Sequence, residues 1–202
     1  ASLPEFRFTP GQRYLRGLFS GGTFSFESTY LLQQQLGAIY SNTPVGDERE
    51  LADPWKSRGH TTIDLGADDF TRGRPHPMID FRLRVERMLQ EARDPEVAVI
   101  LLDVVLGYGS HPDPSEVLVP AVKQARDLAE REGRELAFVA SVCGTERDPQ
   151  QLSRQRAALE AAGVVLGRSN ADAARLAARI LCAIEGNACH DVSVGRERAG
   201  ER

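Results

Sequence analysis

Tyr14-Leu15-Arg16-Gly17-Leu18-Phe19-Ser20-Gly21-Gly22-Thr23 carries a short apolar run into a Ser-Gly-Gly-Thr turn, and Phe24 to Leu36 follows it. The order reads as strand, tight turn, helix. Two glycines let the backbone turn sharply and leave no side chain in front of the first helical N–H groups. Those N–H groups lack intrahelical partners and sit at the positive end of the helix dipole, so an anion can be held there. Ser20 and Thr23 add hydroxyl groups to the same turn. The same residues also make a good helix start in any α/β protein, so the motif takes its meaning from the rest of the chain.

Working outward, Gly37 to Asn42 is a short extended piece, and Thr43 to Gly59 is a long polar loop with two prolines and Trp55. Thr61 to Gly66 is β-branched and ends in glycine, a second core strand. Ala67 to Pro77 forms another long loop, and Met78 to Ala92 an amphipathic helix with Ile79, Leu83, Val85, Met88 and Leu89 on its apolar side. Val97 to Val105 is continuously apolar, the pattern of a parallel strand covered on both faces. A helix then runs from Pro114 to about Glu132 with Asp113 as its cap. Glu135 to Cys143 is a further strand, Asp148 to Ala162 a helix, Val164 to Leu166 a short strand, and Ser169-Asn170 opens a last helix to about Ile184. Strand and helix thus alternate five times. That order predicts an open, flavodoxin-like, five-stranded parallel α/β sheet with helices on both faces. Ligands of such sheets bind outside the carboxyl ends of the strands, where Ser20-Gly21-Gly22-Thr23, Gly107 to His111 (with Gly109 and Ser110) and Cys143-Gly144-Thr145 all fall.

The chain has 202 residues, enough for one domain and a little more. We read residues 1–12 as a linker, 13–184 as the domain and 185–202 as a polar tail, the whole being a domain of a longer polypeptide. A net charge of −4 argues against general affinity for nucleic acid or anionic membrane. No apolar run approaches the roughly 20 residues that span a bilayer. The cysteines Cys143, Cys182 and Cys189 are odd in number and lack metal spacing, which fits reduced thiols in a cytoplasm. His60 and His190 have no ligand-spaced companions, so no metal site is expected.

These strings resemble a family. The strand, Ser-Gly-Gly-Thr turn and helix look like the ligase domain of the succinyl-CoA synthetase α subunit, and the similarity runs from about Tyr14 to Ile184. Gly73 to Asp80, Leu102 to Pro114 and Gly144 to Gln150 are similar to its FdrA-like branch of acyl-CoA synthetases. The resemblance implies a phosphate, or an acyl or carbamoyl phosphate, held at helix N-termini, within an oxamate carbamoyltransferase-like enzyme of allantoin breakdown. It also implies that CoA or a nucleotide, if used, sits on a preceding nucleotide-binding-type domain or partner subunit, with no cofactor in this chain, and that the protein is an oligomer. The synthetase carries a phosphorylated histidine in a Gly-His-Ala-Gly loop. Here the corresponding Cys143 to Gln151 holds no histidine, so the phosphohistidine relay is not carried over. The rival reading is a non-catalytic assembly domain that keeps the fold and has lost the relay.

The candidate site residues each have two readings. His111 is a general acid or phosphate ligand, or an inert histidine at a helix start. Asp103, inside an apolar run, is hydrogen-bonded to a loop or orients His111. Asp64 near the end of the second strand has the same two readings. Arg72, Arg74 and His76 form an anion-binding substrate loop or a rigid packing loop. Cys143 is read as a small buried filler. Ser20, Gly21, Gly22, Thr23, Gly109, Ser110, Gly144 and Thr145 are the phosphate-binding candidates.

Overall fold

The computed structural model describes residues 3–46 and 49–185. In chain order the elements are β1 (Tyr14–Phe19), α1 (Gly22–Leu36), β2 (Ile39–Ser41), β3 (His60–Asp64), α2 (Asp68–Thr71), α3 (Arg82–Ala92), β4 (Val97–Val105), α4 (Pro114–Glu130), β5 (Ala137–Cys143), α5 (Leu152–Ala161), β6 (Val165–Gly167) and α6 (Asn170–Glu185). The strands form one sheet in the order β2-β3-β1-β4-β5-β6, and each adjacent pair is parallel.

The sheet therefore has six strands, not five. Ile39–Ser41 pairs with His60–Thr62 at the edge, and three residues are too few to show an alternating or apolar pattern. Without β2, the other five follow the flavodoxin order. β2 is an addition to that order, so the correspondence is incomplete. Because every strand is parallel, the turns after β1, β3, β4 and β5 all open on one edge.

Helices cover both faces. Leu18, Ile63, Ile100, Leu102 and Phe138 pack under Met88 of α3, Leu118 and Val122 of α4, and Leu159 of α5. Leu15, Phe19, Val99, Leu101 and Val139 pack under Leu32 of α1 and Ala173, Ala174, Ala177 and Ala178 of α6. The alanine stripe lets α6 lie close to the sheet. A Cβ on Gly167 would stand 2.4 Å from the Ala173 nitrogen, so a side chain there would force the helix off. Residues 3–12, expected as a linker, are tied to the domain. Phe6 and Phe8 stack on one another and pack on the α1/α6 face. Gln12 is buried, and its amide donates to the Val97 and Glu135 carbonyls. Of the tail expected over 185–202, only Glu185 lies among the described residues.

Among the described residues of the loop at 43–59, Leu51 packs into the core and a set of buried charges ties down the rest. Buried Arg16 of β1 reaches Glu91 Oε2 at 2.7 Å and Asp94 Oδ2 at 2.7 Å. Arg87 Nε reaches the other Glu91 oxygen at 2.6 Å. Ser57 donates to Glu91 Oε1 at 2.6 Å, and Arg87 donates to the Pro54 carbonyl at 3.0 Å. Trp55 then lies edge-on to Phe70 of α2, ring centroids 4.7 Å apart.

Cys143, the last residue of β5, is an exposed free thiol rather than a buried filler, because the strand runs past its covering helices there. Among the described residues no helix is long and apolar enough to cross a membrane.

Candidate functional site

The start of α1 is open. Gly21 precedes it in extended conformation, no side chain caps it, and its first turn has no acidic residue. Gly22 and Thr23 are exposed. Ser25 N is the first to bond back, to the Gly21 carbonyl at 3.3 Å. The N–H groups of Gly22, Thr23 and Phe24 precede it and have no helical acceptor. An anion placed over them gains both hydrogen bonds and the dipole.

What fixes this turn is Asp103. Its Oδ1 accepts from Ser20 N at 2.8 Å, and its Oδ2 accepts from the Ser20 hydroxyl. Arg84 of α3 completes the set, donating to Asp103 Oδ1 at 2.7 Å and to the Asp103 carbonyl at 2.5 Å. All three side chains are buried. Of the two readings of Asp103, hydrogen bonding to a loop is the one found, and His111 is not its partner. Ser20 is turned inward, so its hydroxyl anchors the cradle instead of facing a ligand.

The second wall of the cradle comes from β3 and the segment after it. Asp64 Oδ1 accepts from Gly66 N at 2.8 Å. Its main-chain N–H and carbonyl are both tied to the Asn42 amide, at 2.9 and 3.0 Å. His76 accepts from Met78 N at Nδ1, 3.2 Å away. A neutral ring that accepts at Nδ1 carries its hydrogen on Nε2. That atom converges with Ser20 O and Asp64 Oδ1 around Gly66, where a Cβ would stand 2.9, 2.8 and 3.1 Å from them in turn. Burial, above all, pushes the Asp64 carboxyl up, against the opposing pull of Gly66 N–H and His76.

Other candidates lie outside the cradle. His111 stacks on Phe81 with centroids 5.1 Å apart, and its N–H donates to the Met78 carbonyl at 2.8 Å. Ser110 closes its own turn on the Gly107 carbonyl, while Gly109 faces open space. Gln150 clamps that turn, donating to the Gly107 and His111 carbonyls at 2.8 and 3.0 Å. Thr145 gives its N–H and hydroxyl to Asp148, so an internal carboxylate already occupies that turn. Gly144 is required by packing, since a Cβ there would meet Leu106 at 2.6 Å. Arg72 is exposed beside Asp68, and Arg74 lies over the Trp55 ring. Of the substrate loop, only His76 reaches the cradle.

Asp113 caps α4 through Glu116 N. Burial alone would raise its carboxyl, but hydrogen bonds from Gln155, Ser115 and Glu116 N, with Arg154 beside it, hold it below the usual carboxylate range. A depressed carboxyl stabilises the fold above its unfolded value, and that gain is lost as pH falls through the folded value. Asp113→Ala is therefore expected to cost about 1–2 kcal/mol at pH 7. The cost should shrink below about pH 4 when urea melts of the two proteins are compared.

A cleft of about 580 Å³ opens beside the cradle, lined by Phe24, Glu27, Cys143, Arg156, Arg168 and Asn170 among others. Arg84, Gly66 and Gln150 were not among the candidates. Gly66 has a signal as the glycine ending a strand, and Gln150 lies in one of the strings that carry the family resemblance; Arg84 has none.

Fold and site together define a parallel α/β domain with an uncapped helix start at the strands' carboxyl edge. The sequence matches the CoA-ligase family over residues 18–180, most of its length, and the chain belongs to that family of succinyl-CoA synthetase-like domains. It is 46% identical over 176 residues to the uncharacterized protein YahF of Escherichia coli (strain K12), covering 87% of this chain and 34% of YahF. In fold it is similar to PH0766 from Pyrococcus horikoshii OT3, with a TM-score of 0.50 at 14% identity, over 88% of this chain and 38% of that one. The chain thus spans little more than a third of the length of either protein.

Proposed function

We propose that this chain is an FdrA-like, acyl-CoA synthetase-type domain that binds phosphate, or an acyl or carbamoyl phosphate, at the start of α1. In this reading it works without a phosphohistidine relay, inside a carbamoyl-transferring, oxamate carbamoyltransferase-like enzyme of the cytoplasm. The observation that carries it is the uncapped N-terminus of α1, exposed at Gly22 and Thr23 and held open by the Ser20–Asp103–Arg84 bonds. Helix N–H groups fixed in this way stabilise charge that develops on a transferring group without having to reorganise. The neighbouring cleft, with Arg156 and Arg168 in its lining, offers room for an acceptor. Any CoA or nucleotide belongs to another domain or subunit.

Titration calorimetry of the chain with phosphate and carbamoyl phosphate tests the site. Gly21 faces open space and has φ −169°, which any residue adopts, so Gly21→Asp supplies a capping carboxylate without strain. That variant is expected to stay folded and to bind both anions at least about tenfold more weakly. Equal binding by the two proteins would sink the site.

One observation favours the assembly-domain reading. Phe26 and Tyr30, one turn apart on α1, are 54% and 51% exposed, a face suited to a partner domain. Transfer activity of the full-length protein that survives Gly21→Asp, which blocks the helix start, would favour that reading.

A further inference from the structure

We infer that Asp64 makes the α1 cradle selective for oxyanions that carry a hydrogen, such as phosphate, over fully ionised ones such as sulfate. This rests on the anion-binding reading of the α1 start and adds to it a rule for which anions enter: inorganic phosphate brings its own hydrogen at pH 7, whereas an acyl or carbamoyl phosphate, ionised at that pH, enters only with a proton shared between its phosphoryl oxygen and Asp64.

The carboxylate is fixed and half-used. Asp64 is 7% exposed, its backbone is held on both sides by Asn42, and Oδ1 is taken by Gly66 N. Oδ2 has no hydrogen-bond partner among the described residues. It lies at the cradle, since a Cβ on Gly22 would stand 3.1 Å from it. An anion resting on the N–H groups of Gly22 to Phe24 therefore places an oxygen against Oδ2. Two bare oxygens repel there, whereas an oxygen bearing a hydrogen donates to the carboxylate in a short, charge-assisted bond.

The other charged groups facing Asp64 do not take over this role. Asp103 of β4 is committed to Ser20 and to Arg84 of α3. His76, from the segment after α2, presents the hydrogen-bearing Nε2, which donates to an anion and does not accept from it. Asp64 is left as the carboxylate that faces the start of α1, its Oδ2 on the Gly22 side and the Ser20 carbonyl on the Gly66 side. Its burial makes it a stronger acceptor for a shared hydrogen.

The test is calorimetric titration of the chain at pH 7 with inorganic phosphate and with sulfate, which match in size and differ in the hydrogen. Phosphate is expected to bind at least about tenfold tighter, the scale of one hydrogen bond to a charged group. Asp64→Asn keeps an oxygen for Gly66 N and puts an amide donor in place of Oδ2, so the two anions should then bind within about twofold. In the wild-type chain, the ¹³C resonance of the Asp64 carboxyl should move on adding phosphate and stay in place with sulfate, a readout independent of any variant. Sulfate binding as tightly as phosphate, with Gly21→Asp weakening both, would overturn the selectivity and leave the anion site standing. No binding of either anion to the wild-type chain would overturn the site and the selectivity together.

Discussion

Arg84→Met should destabilise the domain by about 3–5 kcal/mol in urea unfolding, because it leaves the Asp103 carboxylate buried without its cation. Arg84 and Asp103 are 0% exposed, and their side chains meet at 2.7 Å. Neither can turn to water when its partner is removed. The size of the loss comes from the stranded charge more than from the worth of the pair itself. Asp103→Leu added to Arg84→Met should therefore recover part of the stability. The recovery stays incomplete because Ser20 N–H and hydroxyl lose their acceptor. Stability recovered in the double variant should not restore phosphate binding, since the turn that presents Gly22 and Thr23 is no longer pinned. A single variant within 1 kcal/mol of wild type would show that Asp103 finds another partner, and the account of the cradle would fail.

Glu91→Ala should cost a similar amount, about 3–5 kcal/mol, by stranding two buried guanidinium groups, Arg16 and Arg87. Arg16 keeps Asp94 at 2.7 Å, so Arg87 bears more of the loss. The two variants differ in what else they change. Glu91 also accepts from Ser57, so its removal should free the loop at 43–59, and limited proteolysis should cut there first. Phosphate binding should survive at temperatures where the variant is folded, because the Asp103–Ser20 bonds are untouched. Cleavage elsewhere, or loss of binding in the folded variant, would contradict the separation of the two networks.

These networks mark where sequence reading ran out. On α3 the periodicity of Ile79, Leu83, Val85, Met88 and Leu89 predicts the inward side. The helix begins only at Arg82 and buries Arg84, Arg87, Met88, Glu91 and Ala92. Met88 is common to both sets, Leu83, Val85 and Leu89 are partly buried against the same core, and Ile79, ahead of the helix, is exposed. Charged residues in a helix ordinarily face water, and nothing within α3 reveals that Asp103, Arg16 and Ser57 arrive from other elements to pair with them. The same holds for Asp148 to Ala162, where the helix starts at Leu152 because Asp148 is used to bond Thr145.

What the sequence determined by itself was the parallel α/β class, the common edge for the glycine turns and the open start of α1. Each depends on local facts: an unbroken apolar run, a Gly-Gly turn, a capping residue, and the limited handedness of strand-helix-strand connections. Only the tertiary structure decided that Ser20 faces inward to Asp103, and that Asp64 and His76 meet at Gly66 while Arg72, Arg74 and His111 stay outside. It also decided that Ile39–Ser41 joins the sheet. Hydrogen-bond partners from distant parts of the chain are set by where the backbone brings them, and residue type and spacing carry no record of that distance.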